Sequence, residues 1–582
     1  MKRMCSRMAA AALAVCTATA GAAQSPETLT LQRLQYEAVR PKSILELQPF
    51  RQEIEADDPV SGQALRFVSL NPAVDAWFLL ETRPEADARA QTWHIENPDP
   101  AAQSVAFEGG ASPALIVTAN GRQTRCTPWA DGSAALVAAR KSGLAYAPLC
   151  GGALYLRNRV SGARTDLEAT AEFLRDNIWG GESIVRFVRD TFFRDSQIET
   201  GEALATGGTG GTGGGPAPMI ARSAPDKRPV VPTLLDIALD GAEPGRMALG
   251  QWYPVSGLPG IFASAFQPRE IAPEVLDGPG KTNRLDSIEA RATGYLVAFD
   301  LGRFDIGFAM GTDHPALGWS SRPPASIRPR GMPGPDGVNS PDPLVLLGMV
   351  NPTIAHRAVA SFAGGFKRQH GAFKFGDMAG FNLGHHYGFI EKGTILSKLQ
   401  PGLSTLFGLS DGSVIMKTWQ ETDNALLPRI VFARQNGVPL LETDPATGRG
   451  IPGDRVTKWG PGNWSGSAEA ELRTLRAGAC MASAAGRKYL IYGYFSTATP
   501  SAMARTFQAY GCSYAMLLDM NALEHTYLAL YVPRGGRVHV AHMVPGMALI
   551  EKKVGGGTIL PRFIGFADNR DLFYVTRKED AQ

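Results

Sequence analysis

The sequence predicts an α+β protein whose main domain is a mixed, mainly antiparallel sheet, preceded by a smaller β-rich module with C-terminal helices. Three observations lead to this fold class. The 582 residues include 65 glycines and 41 prolines, whereas long helical patterns are few. Short β-like runs recur along the chain, and turn signals separate them. A chain of this length is also expected to form more than one domain.

The first residues have the pattern of a secretory signal peptide. Residues 1–7 carry three basic side chains, and an alanine-rich apolar run over 8–23 offers Ala-x-Ala-type cleavage sites. Cys16 suggests lipid attachment as an alternative, which the preceding Val15 disfavours. The run is too short to favour a membrane span. We therefore predict a signal peptide over 1–23 and an exported protein, periplasmic or secreted, with no transmembrane span in the mature chain.

Residues 26–200 are predicted to form the N-terminal module. Its first part has β-like runs with an Asn120-Gly121 turn signal, and its end has two helical patterns. No catalytic constellation is apparent in it. The strands are predicted over Leu65–Leu70, Ala76–Leu80 and Ala114–Val117, and the helices over Leu167–Asp176 and Ser183–Asp195.

A linker over 201–232 is expected to separate this module from a domain over 233–582. The linker contains the run GGTGGTGGGPAP, which cannot bury enough apolar surface to order itself. Beyond it, Tyr295–Leu301 and Phe304–Met310 are predicted to pair around a Gly302-Arg303 turn. Residues 320–343 are rich in proline and glycine and predict a long loop.

The second domain continues with a strand and several hairpins. Val359–Phe362 leads into Ala363-Gly364-Gly365-Phe366, where two glycines indicate unusual backbone angles or the close approach of another group. Hairpins are predicted around Glu391-Lys392-Gly393 and Asp411-Gly412, so Asp411 is interpreted as a turn residue. A further hairpin pairs Ala479–Ala482 with Tyr489–Tyr494.

The segment from Tyr494 to Asn521 predicts a capped helix followed by a buried strand. Thr499 is a good N-cap with Pro500 at the first helical position, and Gly511 suits a left-handed stop. The continuous apolar run Tyr514–Leu518 suits a strand buried on both faces. Asp519 and Asn521 lie at its end, either as ligand-binding groups or as caps of the next turn.

Composition restricts the partners and the compartment. The formal net charge of +3 is small, and the absence of a basic run after the signal argues against nucleic acid. Without the signal peptide, four cysteines remain, and an even number in an oxidising compartment indicates disulfides. The simplest pairing is Cys126–Cys150 and Cys480–Cys512, with buried free thiols as the alternative.

The order of these motifs resembles the phosphodiester glycosidase family, to which the lysosomal uncovering enzyme belongs. Gly364, Gly365 and Phe366 match its Asn-Gly-Gly-Phe-Phe motif, Arg476 matches an Arg-Thr-Ala strand start, and Leu518-Asp519 match the start of Leu-Asp-Gly-Gly-Gly-Ser. The resemblance covers roughly 293–575. The resemblance implies the fold of that family and the hydrolysis of a glycan or sugar phosphodiester of the cell envelope.

The resemblance and the chemistry of phosphate binding together suggest a site. An arginine is a natural fork for phosphate, so Arg476 is predicted as catalytic together with Asp519, which would act as acid or base or bind a cation. A structural ion pair is the alternative role of Arg476. The substrate-binding candidates are Gly364, Gly365, Lys367, Asn521 and His386.

Metal binding stays open. His385-His386 lie in a glycine-bounded loop, and adjacent histidines on an extended segment face opposite ways. A divalent cation would need Asp377, Glu524 or His525 to join them, and no regular ligand spacing supports such a site. No cofactor is therefore assigned.

Two functions follow from this reading. The first is an exported hydrolase that acts on a glycan or sugar phosphodiester. The alternative is a family member that binds glycan or phosphate-sugar ligands without turnover. Departures from the family motifs motivate this alternative, because Ala363 replaces an asparagine and Met520-Asn521-Ala522 replace glycines.

Overall fold

The computed structural model describes residues 25–38, 41–84, 88–177, 196–206, 227–313, 326, 337–365, 388–458, 473–555 and 558–579. Lys367, Asp377, His385, His386 and the predicted helix Ser183–Asp195 lie outside them. The α-helices of the described residues are α1 (Pro26–Glu37), α2 (Ala130–Lys141), α3 (Asp166–Asn177), α4 (Pro273–Leu276), α5 (Pro352–Ala355) and α6 (Pro500–Ala509). Short 3-10 helices cover Cys150–Gly152, Pro268–Glu270, Glu289–Arg291, Glu421–Arg429 and Pro545–Ile550. None of the helices in these ranges is long and apolar enough to cross a membrane.

The N-terminal module contains antiparallel sheets around a core of its own. Phe67, Trp93 and Trp129 are buried in that core. The main sheet has the order β1-β2-β3-β4-β9-β8, and β5, β6 and β7 form a smaller one. The strands are β1 (Gln52–Asp58), β2 (Gln63–Ser69), β3 (Trp77–Arg83), β4 (Gln91–Glu96), β5 (Gln103–Glu108), β6 (Ala114–Ala119), β7 (Arg122–Cys126), β8 (Tyr146–Leu149) and β9 (Leu154–Arg157).

The large sheet of the second part has the order β13-β14-β15-β26-β25-β27-β23-β24. A small sheet of β10 (Ala205–Thr206), β11 (Pro229–Pro232) and β12 (Arg246–Ala248) precedes it. The strands of the large sheet are β13 (Tyr253–Pro254), β14 (Ile261–Phe266), β15 (Gly294–Asp300), β23 (Pro439–Thr443), β24 (Gly450–Pro452), β25 (Thr474–Ala484), β26 (Arg487–Ala498) and β27 (Cys512–Met520).

Two further sheets complete the layers. The facing sheet, with the order β16-β32-β17-β28-β29, contains β16 (Phe304–Ala309), β17 (Ala358–Ala363), β28 (Leu528–Arg534), β29 (Arg537–His542) and β32 (Leu572–Arg577). The hairpin sheet, with the order β19-β18-β22-β20-β21, contains β18 (Phe389–Glu391), β19 (Thr394–Ser397), β20 (Ser404–Leu409), β21 (Val414–Thr418) and β22 (Ile430–Gln435). A short pair, β30 (Lys552–Lys553) and β31 (Ile559–Leu560), lies near the end.

The large sheet is buried on both faces. On one face, the ring of Phe362 from the facing sheet lies 6.4 Å from Phe299 and 5.2 Å from Tyr492, measured between centroids. On the other face lies α6, whose close approach depends on cross-strand glycines. A Cβ added to Gly478 would lie 2.9 Å from the Phe507 ring. This two-sided packing explains the continuous apolar run of β27.

Most local predictions are confirmed, and one pairing is wrong. Thr499 caps α6 through its hydroxyl, which accepts a hydrogen bond from the Ala502 N–H. The predicted hairpins of β18 with β19, β20 with β21 and β25 with β26 are present. In contrast, β15 and β16 do not pair, because β15 joins the large sheet and β16 joins the facing sheet. The chain crosses between layers at the Gly302-Arg303 turn, so both strands bury their apolar faces against other partners.

The fold is thus mostly antiparallel and rich in strands. The boundary at 201–232 stays a prediction.

Candidate functional site

The end of β27 places Asp519 and Asn521 as the sequence suggests. Asp519 is 4% exposed. Asn521 adopts φ +80°, a left-handed conformation that asparagine tolerates better than most residues with a side chain. Its backbone N–H donates to the Leu475 carbonyl oxygen at 2.8 Å, and its side-chain oxygen accepts from the Thr474 hydroxyl at 3.1 Å. Asn521 is therefore a turn residue that ties β27 to the start of β25.

Asp519 belongs to a buried ionic cluster, the Arg570 cluster, formed by Glu168, Asp519, His525 and Arg570. Arg570 donates from Nη1 to Asp519 Oδ2 at 2.8 Å and from Nη2 to Glu168 Oε1 at 2.7 Å. The Met520 backbone N–H donates to the other oxygen of Asp519 at 2.8 Å. Both carboxylates are more than nine-tenths buried, so the guanidinium compensates two charges away from solvent.

The hydrogen bonds of His525 indicate which ring nitrogen carries its proton. Nδ1 lies 2.8 Å from the Met520 carbonyl oxygen, which can only accept, so we assign the proton to Nδ1. Nε2 then accepts from Arg570 Nη2 at 2.5 Å. The imidazole thus faces the same guanidinium as the two carboxylates.

Arg570 remains charged despite its burial. Burial by itself lowers the pKa of Arg570, but the negative charges of Glu168, Asp519 and Glu524 outweigh it and raise the pKa. A second ion pair fixes the adjacent backbone, because Asp568 accepts both from the Arg562 guanidinium and from the Arg570 backbone N–H. The cation is therefore held in position by its own chain as well as by its partners.

Arg476 lies at the same strand end but on the opposite face. It is fully buried, and it donates from Nε to the Ala498 carbonyl oxygen at 2.9 Å and contacts Met520 Sδ at 3.3 Å. Successive side chains of a strand alternate between faces, so Met520 and Asp519 point apart. The guanidinium that donates to Asp519 is that of Arg570, and the catalytic role of Arg476 together with Asp519 stays a prediction.

The Gly364-Gly365 turn is connected to the region of Asp519 and Arg570 through the neighbouring residues Asp571 and Asn436. The Gly364 N–H donates to the Asp571 carbonyl oxygen at 2.8 Å, next to Arg570. Gly365 adopts φ +135°, and a Cβ there would lie 2.8 Å from Asn436 Oδ1. Asn436 in turn donates to the carbonyl oxygens that precede Asp519, those of Leu517 and Leu518 at 2.5 and 2.6 Å. The expected close approach at the double glycine is thus present.

The remaining candidates are the other substrate-binding residues, the metal ligands and the disulfide cysteines. Lys367 and His386 lie outside the described residues. Within the described ranges, no three His, Cys, Asp or Glu side chains are grouped to hold a metal ion, so His525 and Glu524 provide no such site there. Both expected disulfides, Cys126–Cys150 and Cys480–Cys512, are present.

Arg570 and Glu168 were not predicted from the sequence. The signal for Arg570 is the charged run Asp568-Asn569-Arg570-Asp571, which lies between two apolar stretches. Charged residues that enter a core are almost always paired, so such a run indicates an ionic network. Nothing in the local sequence of α3 distinguishes Glu168.

No protein-family model matches the chain, and no curated protein matches it. Solved structures similar to it include the catalytic domain of zebrafish N-acetylglucosamine-1-phosphodiester alpha-N-acetylglucosaminidase, auto-inhibited by its pro-peptide. That match has a TM-score of 0.29 and 12% identity and covers 56% of this chain and 85% of that one.

Two others are a Burkholderia pseudomallei protein described as exported and a hypothetical protein from Synechocystis. The first has a TM-score of 0.20 and 11% identity, covering 49% of this chain and 74% of that one. The second has a TM-score of 0.26 and 10% identity, covering 90% and 99%. Overlaps this low carry no argument about activity.

Proposed function

We propose that this chain is an exported hydrolase of the phosphodiester-glycosidase type that cleaves a glycan or sugar phosphodiester of the cell envelope. The observation that supports it is the Arg570 cluster at the end of β27. Arg570 holds one oxygen of Asp519 and one of Glu168 at 2.8 and 2.7 Å. An arginine fork that binds carboxylate oxygens has the geometry to bind phosphate oxygens.

The proposed reaction adds water to the anomeric carbon of the sugar and breaks the bond from that carbon to the ester oxygen, releasing a phosphomonoester. Arg570 would hold the phosphate charge once Glu168 moves away. Asp519 would accept the proton of the attacking water. Arg476 would act as a positioning residue, because it reaches the strand end through Met520 and Ala498.

One observation favours the alternative, a protein that binds phosphate-sugar ligands without turnover. Both oxygens of Asp519 already accept hydrogen bonds, and the residue is 4% exposed. Such a carboxylate stabilises the site without reaching a substrate. Hydrolysis requires both Asp519 and Arg570, whereas binding without turnover requires only Arg570, so one set of variants distinguishes the two functions.

The test uses N-acetylglucosamine 1-(methyl phosphate) as the probe, with detection of free N-acetylglucosamine and calorimetry for binding. The hydrolase proposal expects turnover that Asp519→Asn lowers by at least about a hundredfold. The matched control is Asp411→Asn, an exposed turn residue whose carboxylate accepts from the Ser413 N–H. Asp519→Glu keeps the charge but moves the carboxylate, and circular dichroism checks folding of each variant.

Turnover equal to wild type in folded Asp519→Asn would refute the catalytic role. Saturable binding without product, lost in Arg570→Met but kept in Asp411→Asn, would establish the binding alternative instead. If the probe neither binds nor reacts, the sugar-phosphate class is wrong.

Export is part of the proposal. Both disulfides fit an oxidising compartment, where such bonds persist. Expression of the full chain followed by fractionation should recover it without residues 1–23 outside the cytoplasm. Recovery of the uncleaved chain in the cytoplasm would contradict it.

A further inference from the structure

A cavity of about 360 Å³ lies between the N-terminal module and the hairpin and facing sheets. The module closes one side with the loops at Ala73-Val74 and 98–101. Strands β16, β20, β22 and β32 form much of the rest, together with Arg357, Lys392 and the turn of β20 and β21. Its volume is at the small end of the range for small-molecule sites, roughly 300–1,000 Å³. Tyr574 of its wall lies four residues beyond Arg570, about 13 Å along an extended chain, and no residue of the Arg570 cluster lines the cavity, so the cavity is separate from that cluster.

Two aromatic rings of the wall lie over glycines of neighbouring strands. Gly307 pairs with Tyr574, and a Cβ at Gly307 would lie 2.1 Å from the Tyr574 ring. Gly408 pairs with Phe432, and a Cβ there would lie 2.3 Å from the Phe432 ring. Only glycine leaves room for either ring, so this wall of the cavity is built of aromatic surface.

One cation of the wall has unused hydrogen-bonding capacity. Arg357 is saturated by Asp99 and Glu579, with Nη1 at 3.2 and 2.9 Å from their oxygens. Lys392, in contrast, donates to the Pro98 carbonyl oxygen at a long 3.4 Å, and no carboxylate of the described residues forms an ion pair with it. An ammonium group has three donors, so Lys392 can take a further acceptor.

The charges around Lys392 keep it protonated and limit the ligand. Burial lowers the pKa of Lys392, but Tyr574, Glu96 and Glu391 outweigh it and raise the pKa. The cavity wall also contains Asp99 and Asp305, which balance the charges of Arg357 and Lys392 and leave no excess positive charge for a dianion. A monoanion therefore suits the site better than a phosphate ester.

We propose that this cavity binds a small cyclic or aromatic carboxylate, with its carboxylate on the Lys392 ammonium and the Tyr574 hydroxyl and its ring against Tyr574 and Phe432. Lys392 and Tyr574 both line the cavity, and no hydrogen bond of the Tyr574 hydroxyl occurs within the described residues. The bound ligand would touch both the module and the second domain, so binding would also stabilise their contact.

The experiment measures binding of benzoate and indole-3-acetate to the full chain by calorimetry and by the shift in melting temperature. Benzyl alcohol is the neutral probe and phenyl phosphate the dianion. We expect saturable binding of at least one carboxylate, and weaker binding of both other probes. Lys392→Met should weaken binding about tenfold or more, as loss of a charge-assisted hydrogen bond does. Lys141→Met removes an exposed lysine at the end of α2 and should change nothing.

Tyr574→Phe removes the hydroxyl with little risk to folding and should weaken carboxylate binding severalfold, while Asp519→Asn should leave it intact. The proposal is overturned if neither carboxylate binds, if folded Lys392→Met binds like wild type, or if benzyl alcohol binds as well as benzoate. Tighter binding of phenyl phosphate than of benzoate would refute the monoanion assignment.

Discussion

Replacing Arg570 by methionine tests the Arg570 cluster most directly. The change keeps an unbranched apolar stem but removes the guanidinium that Asp519 and Glu168 share. Both carboxylates are more than nine-tenths buried. Breaking a buried pair by removing one partner typically costs about 3–5 kcal/mol, because the remaining charge lacks compensation. With two carboxylates affected, the free energy of unfolding of Arg570→Met should fall by at least about 3 kcal/mol.

Guanidinium chloride unfolding followed by far-UV circular dichroism provides the measurement. Arg429→Met is the matched control, because its ion pair with Asp411 is about half exposed, and its midpoint should not change measurably. Adding Glu168→Gln to Arg570→Met removes one uncompensated charge and should recover roughly 1–3 kcal/mol. If Arg570→Met unfolds like Arg429→Met, or if the second substitution recovers nothing, the cluster does not stabilise the fold as argued.

Three more predictions follow from single features. Asn521→Ala should lower the free energy of unfolding by about 1–2 kcal/mol, because φ +80° is unfavourable for alanine and the hydrogen bond from Thr474 is lost. Asn521→Gly should lower it less, and equal losses of the two variants in chemical unfolding would contradict this prediction. Burial raises the pKa of Glu391 from 4.5 to about 7, so the folded state retains a proton that the unfolded chain releases, and stability should fall as pH rises across that interval. Glu391→Gln should flatten the pH profile of unfolding, and an unchanged slope would exclude Glu391 as its source. Replacing Cys480 and Cys512 by alanine removes a disulfide that closes a loop of 32 residues and should lower the free energy of unfolding by roughly 3–4 kcal/mol. An unchanged free energy of unfolding in calorimetry would refute this prediction.

Glu391 does not titrate alone, and its neighbours explain the direction of its shift. Burial raises its pKa most, and Glu96 acts in the same direction, while Arg157, Lys392 and the Met310 N–H lower it. Below pH 4.5 the stabilising contribution is fully present, and it is lost as pH rises through about 7. The pH test therefore also reports on the contact between the module and the second domain, since Arg157 belongs to β9 and Glu391 to β18.

The local elements near the candidate site could be read from the sequence. The Thr499 cap, the helix α6 and the strand β27 are confirmed. Lys392-Gly393 adopts the left-handed angles that a tight hairpin turn needs. These features depend on hydrogen bonds and side-chain spacing within a few residues, which a sequence pattern records directly.

Two outcomes depended on how the strands pack. The sequence pattern of β15 and β16 predicted a hairpin, but β15 pairs with β26 in the large sheet and β16 pairs with β32 in the facing sheet. Arg476 and Asp519 share a strand end, yet a register of Arg476 opposite Met520 places their side chains on different faces. A single sequence does not give the register between strands, and a shift of one residue turns every side chain of a strand to the other face of the sheet.

Local sequence patterns were enough to predict the turns, the capped helix, the buried strand and the polar residues at its end. The partners of Asp519 depend instead on long-range packing, because Arg570 follows Asp519 by 51 residues and Glu168 lies 402 residues before Arg570. Ion pairs at such separations form where the packing of sheets and helices brings charges together and removes water. Burial then makes each charge depend on its partner, and no local pattern encodes that dependence.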